Sequence, residues 1–184
     1  WVNGDENVLP ANTTLFEALD SNGNRTMNVH FPWSNGRIYW DCGNSGSSYD
    51  RIDKAASLSE DAGKWNHWTF TKNANTGEMK IYLNGSLWHS ATGKTRLINI
   101  DSFTLGSNGV GNGYFWDGKI LDLNIFKKEL SALEIQSVMH ELIDSSHPLW
   151  LEIADQYLFD SDPHTYQINT GSSTGSGAAI FNGY

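Results

Sequence analysis

Between residues 1 and 126, apolar and polar positions alternate in short runs. Turn-forming pairs interrupt them about every 8–12 residues, the rhythm of an antiparallel sandwich or barrel. The pairs are Asn3-Gly4, Asn22-Gly23, Asn35-Gly36, Thr76-Gly77, Asn84-Gly85, Asn108-Gly109 and Asp117-Gly118. Runs 15–19 and 25–31 flank Ser21-Asn22-Gly23-Asn24 and predict a hairpin, because Asn-Gly tolerates the positive φ of a tight turn. Residues 37–41 predict the next strand, 64–71 and 78–83 a second pair, and 87–90 a return strand after Asn84-Gly85. Runs 102–106 and 118–126 complete the series. Ile120, Leu121, Leu123, Ile125 and Phe126 mark the last run as one strand buried mainly on one face.

One stretch has a different period. Ser131-Ala132-Leu133-Glu134 carries the spacing of a capping box, and Leu133, Ile135, Val138, Met139 and Leu142 recur at helical spacing behind it. A short helix is predicted over 131–143, stopping before His147-Pro148 because proline disfavours helical geometry in the preceding residue. Beyond it, 149–159 is apolar with interspersed acids, 170–177 is a Gly/Ser/Thr tract of flexible composition, and 178–184 predicts a further short strand. The chain thus divides into a body, 1–147, and a tail, 148–184. Tyr157, Leu158, Phe159, Tyr166 and Ile168 of the tail need somewhere to pack.

Composition narrows the classes. Lys and Arg number 12 against 21 Asp and Glu, a net charge of −9, which argues against a nucleic-acid module because phosphate binding needs a basic face. No run of about 18 apolar residues is present, so no membrane insertion is expected. The chain opens on no signal-peptide pattern, so any export signal is expected to lie outside it. Cys42 is the one cysteine, which excludes an internal disulfide framework. Eight Trp, 7 Tyr, 8 Phe and 18 Gly with few charges fit an all-β protein of extracellular type.

The run Gly63-Lys64-Trp65-Asn66-His67-Trp68-Thr69-Phe70-Thr71, followed by residues 76–85 ending in Tyr82-Leu83-Asn84-Gly85, resembles the laminin-G-like, concanavalin A-like lectin family. So do Phe103-Thr104-Leu105-Gly106-Ser107, residues 118–126, and the helix start at Leu130-Ser131-Ala132-Leu133-Glu134-Ile135, all in the family's order. The resemblance implies an all-β, two-sheet antiparallel jelly-roll sandwich with the helix at its edge. It does not single out a function, since the fold hosts sugar binding, adhesion, calcium-dependent contacts and hydrolysis. The family's opening strands are missing before Trp1, whereas Tyr157-Leu158-Phe159-Asp160 and residues 177–183 resemble those opening segments. Three accounts follow: an excerpt of a tandem array, a circular permutant, or a subunit that donates its tail strands to a neighbour.

Candidate chemistry is sparse. Asp20-Ser21-Asn22-Gly23-Asn24 begins like a calcium loop, but Arg25 and Phe31 occupy the positions that require glycine and glutamate. Calcium remains the one expected cofactor, held across a sandwich rim by Asp41, Asn44 and Asp50 or by Asp160 and Asp162, with solvated turns as the alternative. Trp33, Trp88 and Trp116 neighbour polar loops, are expected to be exposed, and are the candidate sugar-stacking residues, with core or rim packing as the alternative. Trp65 and Trp68, three apart on one run, face opposite sides, and the family pattern assigns Trp65 to the core beside Tyr82, Leu105, Ile120, Leu123 and Ile125. No glutamate pair, Gly-x-Ser-x-Gly or His-Glu-x-x-His supports an enzyme. The leading expectation is a non-catalytic adhesion or carbohydrate-binding module of a secreted surface protein, with a glycan or cell-surface protein as partner. The alternatives are a filament subunit self-associating through its tail strands and, third, an accessory domain of a hydrolase.

Overall fold

The structure, a computed structural model, describes residues 1–45, 48–141, 143–158 and 167–168. Five strands form the larger layer: β2 (Thr14–Leu19), β3 (Arg25–His30), β4 (Arg37–Ser45), β5 (Ser48–Ala55) and, later in the chain, β9 (Ser102–Leu105). They lie in the order β5-β4-β3-β2-β9, and every neighbouring pair is antiparallel. The strands β6 (Trp68–Asn73), β7 (Glu78–Leu83) and β8 (Ser86–Ala91) form an opposing meander. Their Trp68, Met79 and Ile81 pack with Phe16, Val29, Ile38, Trp40 and Ile52 in one core, so the expected antiparallel β-sandwich is the observed one. The β7–β8 turn works as read: Asn84 and Gly85 both hold positive φ, 49° and 75°.

Two small sheets accompany the layers. β1 (Val2–Gly4) pairs with β10 (Gly118–Ile120), and β11 (Leu123–Phe126) pairs with β12 (Ile153–Leu158), which in turn pairs with β13 (Gln167–Ile168). The run 118–126 is therefore not one strand. Asp122, at φ 51°, turns the backbone out of the extended region, so the two halves find different partners. Ile120 and Leu105 pack on the core from its margin, and Leu123 and Ile125 are half-buried. The first tail strand lies against the body through the β11–β12 pairing, while residues 159–166 and 169–184 lie outside the described residues.

Two expectations need correction, the place of Trp65 and the edge position of the helix. Trp65 is 42% exposed, whereas Trp68, at 9%, fills the core against Phe31; β6 begins only at Trp68, so its inward face starts there. The expected short helix is present as α2, Ala132–His140, and its capping box forms as read: the Glu134 N–H donates to Ser131 Oγ and the Ser131 N–H to the Glu134 carboxylate. The helix does not sit at an edge of the sandwich. Ile135 joins Tyr82, Leu130 and Leu149 in a second apolar cluster on the outer side of β7, opposite Met79 and Ile81, and Leu133 is 79% exposed. A further short helix, α1 (Leu58–Asp61), has a capping box of its own from Ser57 and Glu60.

Candidate functional site

Strand alternation places the site. In the five-stranded layer Phe16, Ala18, Met27, Val29, Ile38, Trp40, Cys42 and Ile52 point into the core, so the intervening residues stand on the outer face. Cross-strand register then lines up a polar row: Thr104 opposite Glu17, Glu17 opposite Asn28, Asn28 opposite Asp41, and Asp41 opposite Arg51. A second row runs Thr14, His30, Tyr39, Asp53.

The rows are tightly bonded. Arg51 grips Asp41 with a two-pronged bond, Nε to Oδ1 and Nη2 to Oδ2, both 2.6 Å, and its guanidinium lies 4.7 Å and 4.5 Å from the ring centres of Tyr39 and Tyr49. Arg37 Nε donates to Asp53 at 2.6 Å, and Arg25 stands 4.0 Å from Glu17. The loop after β9 folds over the other end, where the Gly109 N–H donates to Glu17 Oε1 (2.9 Å) and Thr104 Oγ1 donates to the Gly109 carbonyl (3.1 Å). Burial pushes the Glu17 carboxyl above its usual range, against the opposing pull of the Gly109 N–H and Arg25. Burial likewise depresses His30 to about 4, so its ring is neutral near pH 7. Between the two acids stands Asn28, fully buried, whose amide nitrogen and oxygen meet no hydrogen-bond partner among the described residues.

An aromatic wall borders this face. Trp33 packs 4.3 Å from the His30 ring and 5.5 Å from that of Tyr114, which is 49% exposed. Chemically, the face offers a dense field of donors and acceptors whose charges cancel pair by pair, beside flat half-exposed rings.

The other expected site residues are elsewhere. Trp88 belongs to the opposite layer; its indole N–H donates to Glu60 at 2.8 Å, its ring abuts Trp68, and the Lys54 ammonium lies over it at 4.4 Å. Trp116 packs inward near Phe31. Both are half-buried against the core rather than exposed, and of the three tryptophans only Trp33 lies at the site. Asp41 and Asp50 stand on opposite faces of their sheet. Asp41 is held by Arg51, whereas Asp50 accepts from Lys72 Nζ at 2.6 Å and from the Arg96 N–H at 2.8 Å. Asp41 and Asp50 therefore do not share one ion, and among the described residues no three His, Cys, Asp or Glu side chains converge on a metal-sized position. Asn44 is on β4, and Asp160 and Asp162 lie outside the described residues.

Glu17, Asn28, His30, Tyr39, Arg51 and Tyr114 were not marked by the sequence reading. Their signal is the alternation itself: Phe16-Glu17-Ala18, Met27-Asn28-Val29-His30 and Ile38-Tyr39-Trp40-Asp41 carry hydrogen-bonding residues at each outward position of three adjoining strands.

Residues 1–136 match the family described as the concanavalin A-like lectin/glucanases superfamily. No curated protein matches the chain. Among solved structures, similarity extends to "a putative carbohydrate binding protein from Bacteroides ovatus", with 16% identity, a TM-score of 0.60, and coverage of 88% of this chain and 44% of that one. A heptameric SAP-like pentraxin from Limulus polyphemus follows at 19% identity and TM-score 0.54, covering 74% and 65%. The receptor-binding domain of a botulinum neurotoxin of C/D mosaic serotype shares 20% identity at TM-score 0.52, covering 75% and 34%. The chain spans less than two thirds of each of these proteins, and at such identities the likeness is one of fold.

Proposed function

The chain belongs to the concanavalin A-like lectin/glucanase superfamily, and from that premise we propose that it is a carbohydrate-binding domain whose glycan lies across the outer face of the five-stranded layer. The observation that carries this reading is the row Thr104, Glu17, Asn28, Asp41, Arg51 under the Trp33–Tyr114 wall. Arg25, Arg37 and Arg51 are each matched by Glu17, Asp53 and Asp41. A face of balanced charge, rich in donors and acceptors, suits a neutral polyhydroxylated ligand better than an anion or a cation. The rings of Trp33 and Tyr114 supply flat apolar surface for a sugar face.

Binding is favoured over hydrolysis by the state of Asp41. Both of its oxygens accept from Arg51 and its side chain is fully buried, so Asp41 is held as an ion-paired carboxylate away from a water opposite Glu17. In a secreted or surface-attached protein such a domain would serve adhesion to a glycan-bearing partner.

Glycan-array screening followed by calorimetry tests the reading. The domain is expected to bind at least one neutral oligosaccharide. Trp33→Ala should weaken it about tenfold, which is ~1.4 kcal/mol, while Trp88→Ala, on the opposite layer, should leave affinity unchanged. Binding that persists in Trp33→Ala and is lost in Trp88→Ala would contradict the proposal, as would the absence of any glycan ligand.

A further inference from the structure

A cleft of about 340 Å³ opens between β6 and β11. Its walls are successive residues of both strands, Trp68 to Lys72 and Leu123 to Phe126, so the cleft exposes two strand edges rather than two side-chain faces. Among the described residues each strand is an edge of its sheet, β6 bonded to β7 and β11 to β12. Among the described residues one side chain reaches the β6 edge, the Trp40 indole, which donates to the Thr71 carbonyl at 3.3 Å. The cleft is apolar on both sides, with Phe16 and Trp40 on one and Leu130 and Val138 on the other. Interiors rarely leave a space much larger than a water unfilled, and unpaired strand edges are templates for another strand.

We propose that residues 177–184 of the same chain enter this cleft as a strand between β6 and β11, joining the β6–β8 meander and the β11–β13 sheet into one layer. Three observations favour this occupant. The first is direction. β12 runs antiparallel to β11 and β13 antiparallel to β12, so a strand antiparallel to β11 would start at the end of the sheet where β13 finishes. The second is reach. From β13 across β12 and β11 to the cleft is three strand spacings, about 14 Å, and residues 169–176 can span about 26 Å when extended. Their Asn-Thr-Gly-Ser-Ser-Thr-Gly-Ser sequence suits a connection that must cross two strand ends. The third is composition. Ala178-Ala179-Ile180-Phe181 is a continuous apolar run, the pattern of a strand covered on both faces, and its small leading residues suit a narrow entry.

Amide hydrogen exchange on the full chain, read by mass spectrometry, decides the matter. The amides of 68–72 and 123–126 are expected to exchange at least about tenfold more slowly in the wild type than in Phe181→Asp. The amides of β3 and β4 should remain protected in both, which separates local release from global unfolding. If Phe181→Asp unfolds the chain, Phe181→Ala should show the same local loss in smaller measure. Light scattering should report a monomer throughout. Fast exchange at both edges in the wild type overturns the proposal, as does protection unmoved by the Phe181 variants. An oligomer that falls apart in Phe181→Asp assigns the cleft to a neighbouring copy's tail and overturns the intrachain version.

Discussion

Replacing Arg51 by methionine strands the Asp41 carboxylate in the floor of the polar face. Asp41 is fully buried and both its oxygens accept from Arg51 at 2.6 Å, so the variant leaves a buried charge without its counterion. Breaking a buried pair in this way costs about 3–5 kcal/mol. The Arg51 side chain is itself 30% exposed, so water can approach the vacated position, and the lower end of that range applies. Loss of the guanidinium from between Tyr39 and Tyr49 adds roughly 0.5–1 kcal/mol. The expected total is ~3–4 kcal/mol, or a fall in Tm of roughly 10 °C for a chain of this size. Urea unfolding should show the midpoint moving down at unchanged m. Adding Asp41→Asn to Arg51→Met removes the stranded charge, so the double variant should be more stable than Arg51→Met alone. A loss below about 1 kcal/mol in the single variant, or strictly additive losses in the double, would refute the reasoning.

Ser131→Ala should cost α2 about 1 kcal/mol through loss of the bond from the Glu134 N–H, read as a lower urea midpoint; an unmoved midpoint would show that the capping bond contributes nothing. Stability should also fall as pH drops from about 6.5 toward 4. The folded state holds His30 near 4, so the unfolded chain takes up a proton that the folded chain does not. His30→Gln should flatten this slope without abolishing it. His67 is depressed to about 4 in the same way, and Asp61, raised to about 6 by burial and the neighbouring Glu60 charge, acts in the opposite sense. An identical slope in wild type and variant would exclude His30 as a contributor.

Much of this architecture was legible because it depends on local chemistry. The Asn22-Gly23, Asn35-Gly36 and Asn84-Gly85 turns, the period-two runs and the capping box at Ser131 are set by neighbours in sequence, and β2, β3, β4, β6 to β9 and α2 appear where those signals stand. Asn3-Gly4 lies instead inside β1, and β5 carries no such signal. The same box at Ser57-Leu58-Ser59-Glu60 announced α1, yet α1 has no apolar period behind it to draw attention. Trp65 and Trp68 could not be told apart, since either choice satisfies alternation and only the register with β7 decides where β6 begins. The break at Asp122 was hidden for a related reason. Ile120, Leu121 and Leu123 read as one strand until two different partners, β1 and β12, claim its halves. The polar face is non-local in the same way: Glu17, Asn28, Asp41 and Arg51 are unremarkable one by one and become a row only through cross-strand register.

The proposed glycan site is the outer face of the five-stranded layer. Amide chemical-shift mapping during titration with an oligosaccharide found by array screening tests it most directly. The largest shifts are expected to cluster at Glu17, Asn28, His30, Trp33, Tyr39, Arg51 and Tyr114, with β6–β8 silent. Shifts concentrated around Trp88 and Glu60, with the polar row unmoved, would contradict it.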